Sequence, residues 1–151
     1  YAVLRKAGMP EKVIRAYESY HEAFKIHNTL AGGIGTGYTK PCSIPQGCPI
    51  SMMIMAILMR PWLIRTKRMG AVGRPLADDI FTMAMGEGHL DTLRDVFDMT
   101  HRYIIDMGAQ LVAHKSCTFS SCPKARRWLS RTKWRITRGK IPVKRAVPGL
   151  R

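Results

Sequence analysis

Asp78 and Asp79 stand side by side in a passage that is otherwise apolar, with Ala71-Val72 before them and Ile80-Phe81-Thr82-Met83 after. Few arrangements accept such a pair. In a straight strand neighbouring side chains point to opposite faces, so the two acids would be separated. A tight turn between two strands removes that conflict and can aim an acid at one point in space. Leu76-Ala77-Asp78-Asp79-Ile80 therefore reads as the tip of a β-hairpin. Two readings of its chemistry are open. Asp is a common turn residue, so the tip can be ordinary solvated turn chemistry. Carboxylates held together on a basic chain also make a seat for a hard divalent cation with oxygen ligands, such as Mg2+.

Upstream lies Ser43-Ile44-Pro45-Gln46-Gly47-Cys48-Pro49-Ile50-Ser51. Pro45 and Pro49 stiffen a loop, and Gly47 removes a side chain where something must approach closely. The Gln46 amide both donates and accepts hydrogen bonds. Ser51 is placed to cap a run of helix formers that starts at Met52. Such a loop, entering a helix, suits contact with the flat edge of a base pair. The pattern PQG-x-P-x-S followed by x-A-D-D resembles motifs B and C of reverse transcriptases, in particular those of non-LTR retrotransposons and group II introns. Gly108-Ala109-Gln110-Leu111-Val112-Ala113-His114-Lys115-Ser116 is similar to motif D of that family. Gly139-Lys140-Ile141-Pro142-Val143 more loosely resembles the strand leading into motif E, the primer grip. The matched span runs from Ser43 to Ser116, with a weaker tail to Leu150.

The resemblance implies an RNA-directed DNA polymerase, a nucleotidyltransferase acting on an RNA template, a DNA primer and dNTPs. It implies two Mg2+ ions, with Mn2+ as substitute, one activating the primer hydroxyl and one holding the triphosphate. Asp78 would be the bridging metal ligand and Asp79 the auxiliary acid nearer the primer end. Pro45, Gln46, Gly47 and Ser51 would form the substrate pocket, with Gln46 and Gly47 lining the nascent base pair. Lys115 would lie near the triphosphate as proton donor to the departing pyrophosphate. The implied fold is α+β, a partial polymerase palm in which an antiparallel sheet with the catalytic hairpin packs on helices, with part of the fingers.

The sequence also departs from the family. Leu76 stands where an aromatic is usual, and no residue matches the motif A aspartate that shares the metals. No Asp or Glu precedes Glu11, which falls on the polar face of a helix. The expected organisation is therefore a partial fingers and palm over 1–123, without motif A and the N-terminal fingers. A basic segment with the motif E-like strand follows over 124–151. The missing part would come from upstream sequence of the same polyprotein, and the chain alone is expected to be inactive. An intracellular location, nuclear for a eukaryotic retroelement, goes with this reading. Two other readings stand beside it: a non-enzymatic basic nucleic-acid-binding module indifferent to Mg2+ and Mn2+, and a decayed retroelement remnant.

Charge narrows the partners. The 151 residues carry 25 Lys and Arg against 10 Asp and Glu, a formal +15. No acidic residue follows Asp106, and 12 of the basic residues lie in the last 45. A polyanion is the natural partner, because neutralising phosphates releases counterions. Beyond Pro123, Arg126, Arg127, Arg131, Lys133 and Arg135 are interleaved with Trp128 and Trp134. Those cations are candidate nucleic-acid contacts. The tryptophans either stack on bases or anchor the segment to the core.

The rest of the chain supplies scaffold. Its hydrophobic content of 46% fits one globular domain. The longest apolar run, Ile50 to Met59, is too short to span a bilayer, and no leader segment is visible. That run reads as a helix buried all round, ended or kinked at Pro61. Val13, Tyr17, Tyr20 and Phe24 recur as one face of a helix from Pro10 to near His27, most simply a core face. The glycines of Ala31 to Gly37 form a hairpin turn whose second strand is expected from Tyr38 to Cys42. Leu90, Leu93, Phe97, Thr100, Ile104 and Met107 mark an amphipathic helix over His89–Met107, with Asp91, Asp95 and Asp98 on its exposed side. Cys42, Cys48, Cys117 and Cys122 form no CxxC pair and are expected to be reduced thiols.

Overall fold

The computed structural model describes residues 1–39, 48–76, 79–109, 115–135 and 139–144. Among them the chain is mixed α+β, with five helices and three two-stranded sheets, two antiparallel and one parallel. It divides into two compact units, Tyr1–Pro61 and Trp62–Arg151.

In the first unit, α1 (Ala2–Lys6) and α2 (Glu11–Ala23) meet across a turn at Gly8, whose φ of +85° suits glycine. The five residues of α1 are too few to show a period in the sequence. Leu4, Ile14 and Tyr17 close a core with Ile54 of α3 (Ser51–Arg68). Arg5 fixes the two helices further by pairing with Glu11 at 3.0 Å and Glu18 at 3.2 Å. α2 stops short of the expected end near His27. Ile26 instead leaves the helical path and pairs with Tyr38 through two backbone hydrogen bonds.

The glycine-rich segment does turn a hairpin, of β1 (Thr29–Leu30) and β2 (Gly33–Ile34). Its turn is Ala31-Gly32, at φ +48° and +83°, a pair of positive values that suits the twist of a two-residue connection. The second strand therefore starts inside the glycine run rather than at Tyr38, which forms only the bridge to Ile26. Lys40–Cys42 lie outside the described residues.

Two further expectations need correction. The stripe Val13, Tyr17, Tyr20 and Phe24 is not a closed core face: Val13 is 40% and Tyr20 44% exposed. Together with Pro49 and Ile50 these four line an open groove of about 760 Å3. Of the stripe only Tyr17 is buried, and with Ile14 it meets Leu4 and Ile54. Nor is α3 buried all round, since Met52 is 61% exposed while Ile54, Met59, Trp62 and Thr66 are buried. The helix also runs through Pro61 to Arg68. Trp62 and Thr66 are fully buried, and that packing offsets the amide hydrogen bond that Pro61 cannot make.

The second unit is built on the antiparallel hairpin of β3 (Ala71–Leu76) and β4 (Asp79–Ala84), in register from Ala71↔Ala84 to Leu76↔Asp79. α4 (His89–Asp106) packs on this hairpin, ending at Gly108 with φ +77°, the left-handed residue expected after a helix. Trp62 inserts between α4 and β3. Its Nε1 donates to Thr100 Oγ1 at 2.9 Å, and that hydroxyl donates to the Val96 carbonyl at 2.7 Å. The ring lies where a side chain at Gly73 would be, with a built Cβ only 2.6 Å from Trp62 Cη2.

β5 (Thr118–Phe119) pairs in parallel with β6 (Val143–Lys144), and between them runs α5 (Pro123–Arg131). Leu129, Trp134 and Ile141 form a second core, against which Leu93 and Phe97 of α4 pack. Trp134 is thus an anchor, buried to 1% exposure with its ring 4.0 Å from that of Phe97. The same segment explains the one acid misplaced by the sequence. Asp91 and Asp95 are exposed and flank Arg94, but Asp98 is buried, with Arg135 Nε 3.9 Å from its Oδ2. Among the described residues, no helix is long and apolar enough to cross a membrane.

Candidate functional site

Pairing of Leu76 with Asp79 leaves Ala77-Asp78 as the whole connection between β3 and β4. The strands of the expected hairpin are therefore in place up to the Leu76↔Asp79 pair. Asp78 itself lies outside the described residues. Asp79 opens β4 and is exposed.

Strand alternation decides which way Asp79 points. Ala71, Gly73 and Pro75 of β3, opposite Ala84, Thr82 and Ile80 of β4, share the face that meets Trp62 and α4. Val72, Arg74 and Leu76, opposite Met83, Phe81 and Asp79, share the other. That second face is open, with Leu76 72% exposed and Phe81 38%. Phe119 of β5 stacks on Phe81 there, centroids 5.8 Å apart and planes at 17°. The Asp79 carboxylate thus stands on the face away from the Trp62 core, and among the described residues neither it nor Lys115 takes part in an ion pair. Lys115 is exposed on the turn before β5, the strand that carries Phe119. It is Phe119, by its stacking on Phe81, that meets the hairpin face carrying Asp79.

Ser51 has a different role from the expected cap. Its hydroxyl donates back to the Cys48 carbonyl at 2.7 Å. The Cys48 thiol instead sits at the start of α3, 3.5 Å from Tyr17 Oη. That hydrogen bond, with help from the Ile50 and Ser51 amides, holds the thiol below its ordinary pKa against the opposing effect of burial. Pro45, Gln46 and Gly47 lie outside the described residues.

The basic segment resolves into two kinds of cation. Arg126 is used internally, its Nη1 donating to the Ser120 and Ser121 carbonyls at 2.8 Å each. Arg135 faces Asp98. Arg127, Arg131 and Lys133 are exposed and outside any ion pair among the described residues. The sequence reading missed Lys124, which shares one side of α5 with Arg127 and Arg131. The available signal was the spacing of three and four residues from Lys124 to Arg127 and Arg131, within a helix that Pro123 opens. Among the described residues no group of three or more His, Cys, Asp or Glu stands together as a metal cluster.

No family model, curated protein or solved structure matches the chain.

Proposed function

We propose that the chain is part of the palm of an RNA-directed DNA polymerase of the reverse-transcriptase kind, with the β3–β4 hairpin as its metal-bearing element. The observation that supports this reading is the Leu76↔Asp79 pairing, which puts Asp79, next in sequence to Asp78, at the end of an antiparallel hairpin backed by α4. The donor chemistry fits a hard cation: Asp79 is exposed and its neighbour Asp78 is a second carboxylate, so only oxygen is offered. Asp78 and Asp79 would hold Mg2+ or Mn2+, and the bound ion would stabilise charge on phosphoryl oxygens and activate a hydroxyl. Gln46, Gly47 and Lys115 are assigned to the base pair and the triphosphate by resemblance alone. The motif A carboxylate has no counterpart among these residues, so catalysis needs a strand from additional sequence, and the chain by itself is inactive on this reading.

Dilute Mn2+ tests the hairpin directly in the intact chain. Paramagnetic broadening should be strongest at Leu76–Ile80 and fade along both strands. Asp78→Asn should abolish it and Asp79→Asn should weaken it. Equal broadening in wild type and in the Asp78→Asn/Asp79→Asn double variant would leave a basic binding module with an ordinary turn as the better description.

A further inference from the structure

α5 offers a surface that the hairpin does not explain. Lys124, Arg127, Trp128, Arg131 and Thr132 line a cavity of about 550 Å3. Their spacing of three, one, three and one residues is that of a single helix face, with cations about one turn, or roughly 5.4 Å, apart. The opposite face of the same helix, Ala125 and Leu129, is buried in the core with Trp134 and Ile141. Trp128 lies between the two. It packs partly against that core and partly borders the cavity, so its indole is held while one side stays open. Thr132 Oγ1 donates to the Trp128 carbonyl at 2.8 Å and closes the end of the helix around it. The three cations are exposed, and among the described residues none of them is in an ion pair.

We infer that this face of α5 is a binding site for single-stranded nucleic acid, with Lys124, Arg127 and Arg131 on successive phosphates and one base stacked on Trp128. A row of cations tracking a backbone beside an aromatic platform is the chemistry that single strands require. An anionic membrane is a poorer fit. A surface helix binds a bilayer by inserting its apolar face, and here that face is already committed to the protein core. The inference does not rest on the polymerase reading, because it uses no hairpin residue and no metal.

Tryptophan fluorescence tests it in the intact chain. Trp62 and Trp134 are buried, at 0% and 1% exposure, so Trp128 is the indole that a ligand can reach. A short oligo(dT) or oligo(U) should quench emission, and the Trp128→Phe variant should bind while losing the quench. Inorganic polyphosphate, which has the charge without the bases, should compete for the site without quenching. Lys124→Gln, Arg127→Gln and Arg131→Gln together should lower the slope of log affinity against log salt by about 2, at roughly 0.7 per lost contact. The same charge change at Arg65, Lys67 and Arg68 of α3 should leave the slope unchanged. A quench that survives Trp128→Phe, or equal losses of slope in the two triple variants, would overturn the site. So would anionic vesicles that displace the oligonucleotide as well as polyphosphate does.

Discussion

Replacing Gly73 by Ala should destabilise the unit that carries the hairpin, although local propensity argues the other way. Alanine narrows the unfolded ensemble, a gain of about 0.4–1 kcal/mol where the backbone accepts it. Gly73 has no positive φ, so the backbone does accept it. The obstacle is Trp62. The added Cβ would sit 2.6 Å from Cη2 and 2.9 Å from Cζ3, with Thr66 Cγ2 at 3.3 Å. Comfortable carbon contacts begin near 3.5 Å, so ring or strand must move by about 1 Å. The ring cannot swing freely, because it is fully buried and its Nε1 is held by Thr100. Overpacking of this kind costs about 1–3 kcal/mol, and loss of the Trp62–Thr100 bond would add about 1 kcal/mol. The net expectation is a loss of about 1.5–3 kcal/mol. Urea unfolding reads this as a midpoint lower by roughly 1 M, at a slope of about 1–3 kcal/mol per molar. Trp62→Phe should relieve part of it, giving a coupling above about 0.5 kcal/mol in a double-mutant cycle. A Gly73→Ala chain as stable as wild type, or one indifferent to Trp62→Phe, would refute the packing described for β3 and α3.

Two other outcomes follow from the second core and from α4. Deleting residues 124–151 removes Leu129, Trp134 and Ile141 along with 11 basic residues. Cooperative urea unfolding of the second unit should therefore be lost, and a truncated chain with an unchanged transition would show that α5 is peripheral. Burial holds the His101 imidazole below its ordinary pKa, outweighing the Phe97 carbonyl and the Asp98 carboxylate that favour its charged form. As pH falls below about 6.5 the unfolded chain takes up that proton first, so stability should drop and then level off below the folded pKa. His101→Gln should flatten this part of the profile in urea melts at pH 7.5 and 5.5, and an unaltered pH dependence would contradict the assignment.

The hairpin was legible because an acidic pair within an apolar passage leaves a turn as the natural solution, and strand period then fixes both faces. α4 was legible for the same reason, as a long segment with a clean stripe and a glycine stop. What the sequence hid depends on contacts between distant segments. Asp98 follows the same spacing as the exposed Asp91 and Asp95, and it is buried only because the Trp134–Arg135 segment lies over that side of the helix. The stripe of α2 has the period of a core face, yet of its residues only Tyr17 joins the core, beside Ile14. Pro61 marks an end by local rules, but Trp62 and Thr66 carry the helix past it. For the basic segment, spacing alone could not tell Arg126, which binds two carbonyls, from Arg127, which faces solvent.

Primer extension by a completed chain bears most directly on the polymerase reading. An upstream segment carrying an apolar strand with one Asp, taken from a reverse transcriptase, would be fused ahead of Tyr1 and supplied with an RNA template, a DNA primer and dNTPs. The fusion should extend the primer only with Mg2+ or Mn2+. Asp78→Ala should reduce extension by several orders of magnitude, because the proposed role of Asp78 is to be the ligand that the hairpin contributes to both metals. Lys115→Ala should slow it by the roughly 100- to 10,000-fold typical of a lost general acid. A fusion that folds, binds primer–template and extends it equally well with Asp78→Ala would contradict the hairpin as the catalytic element.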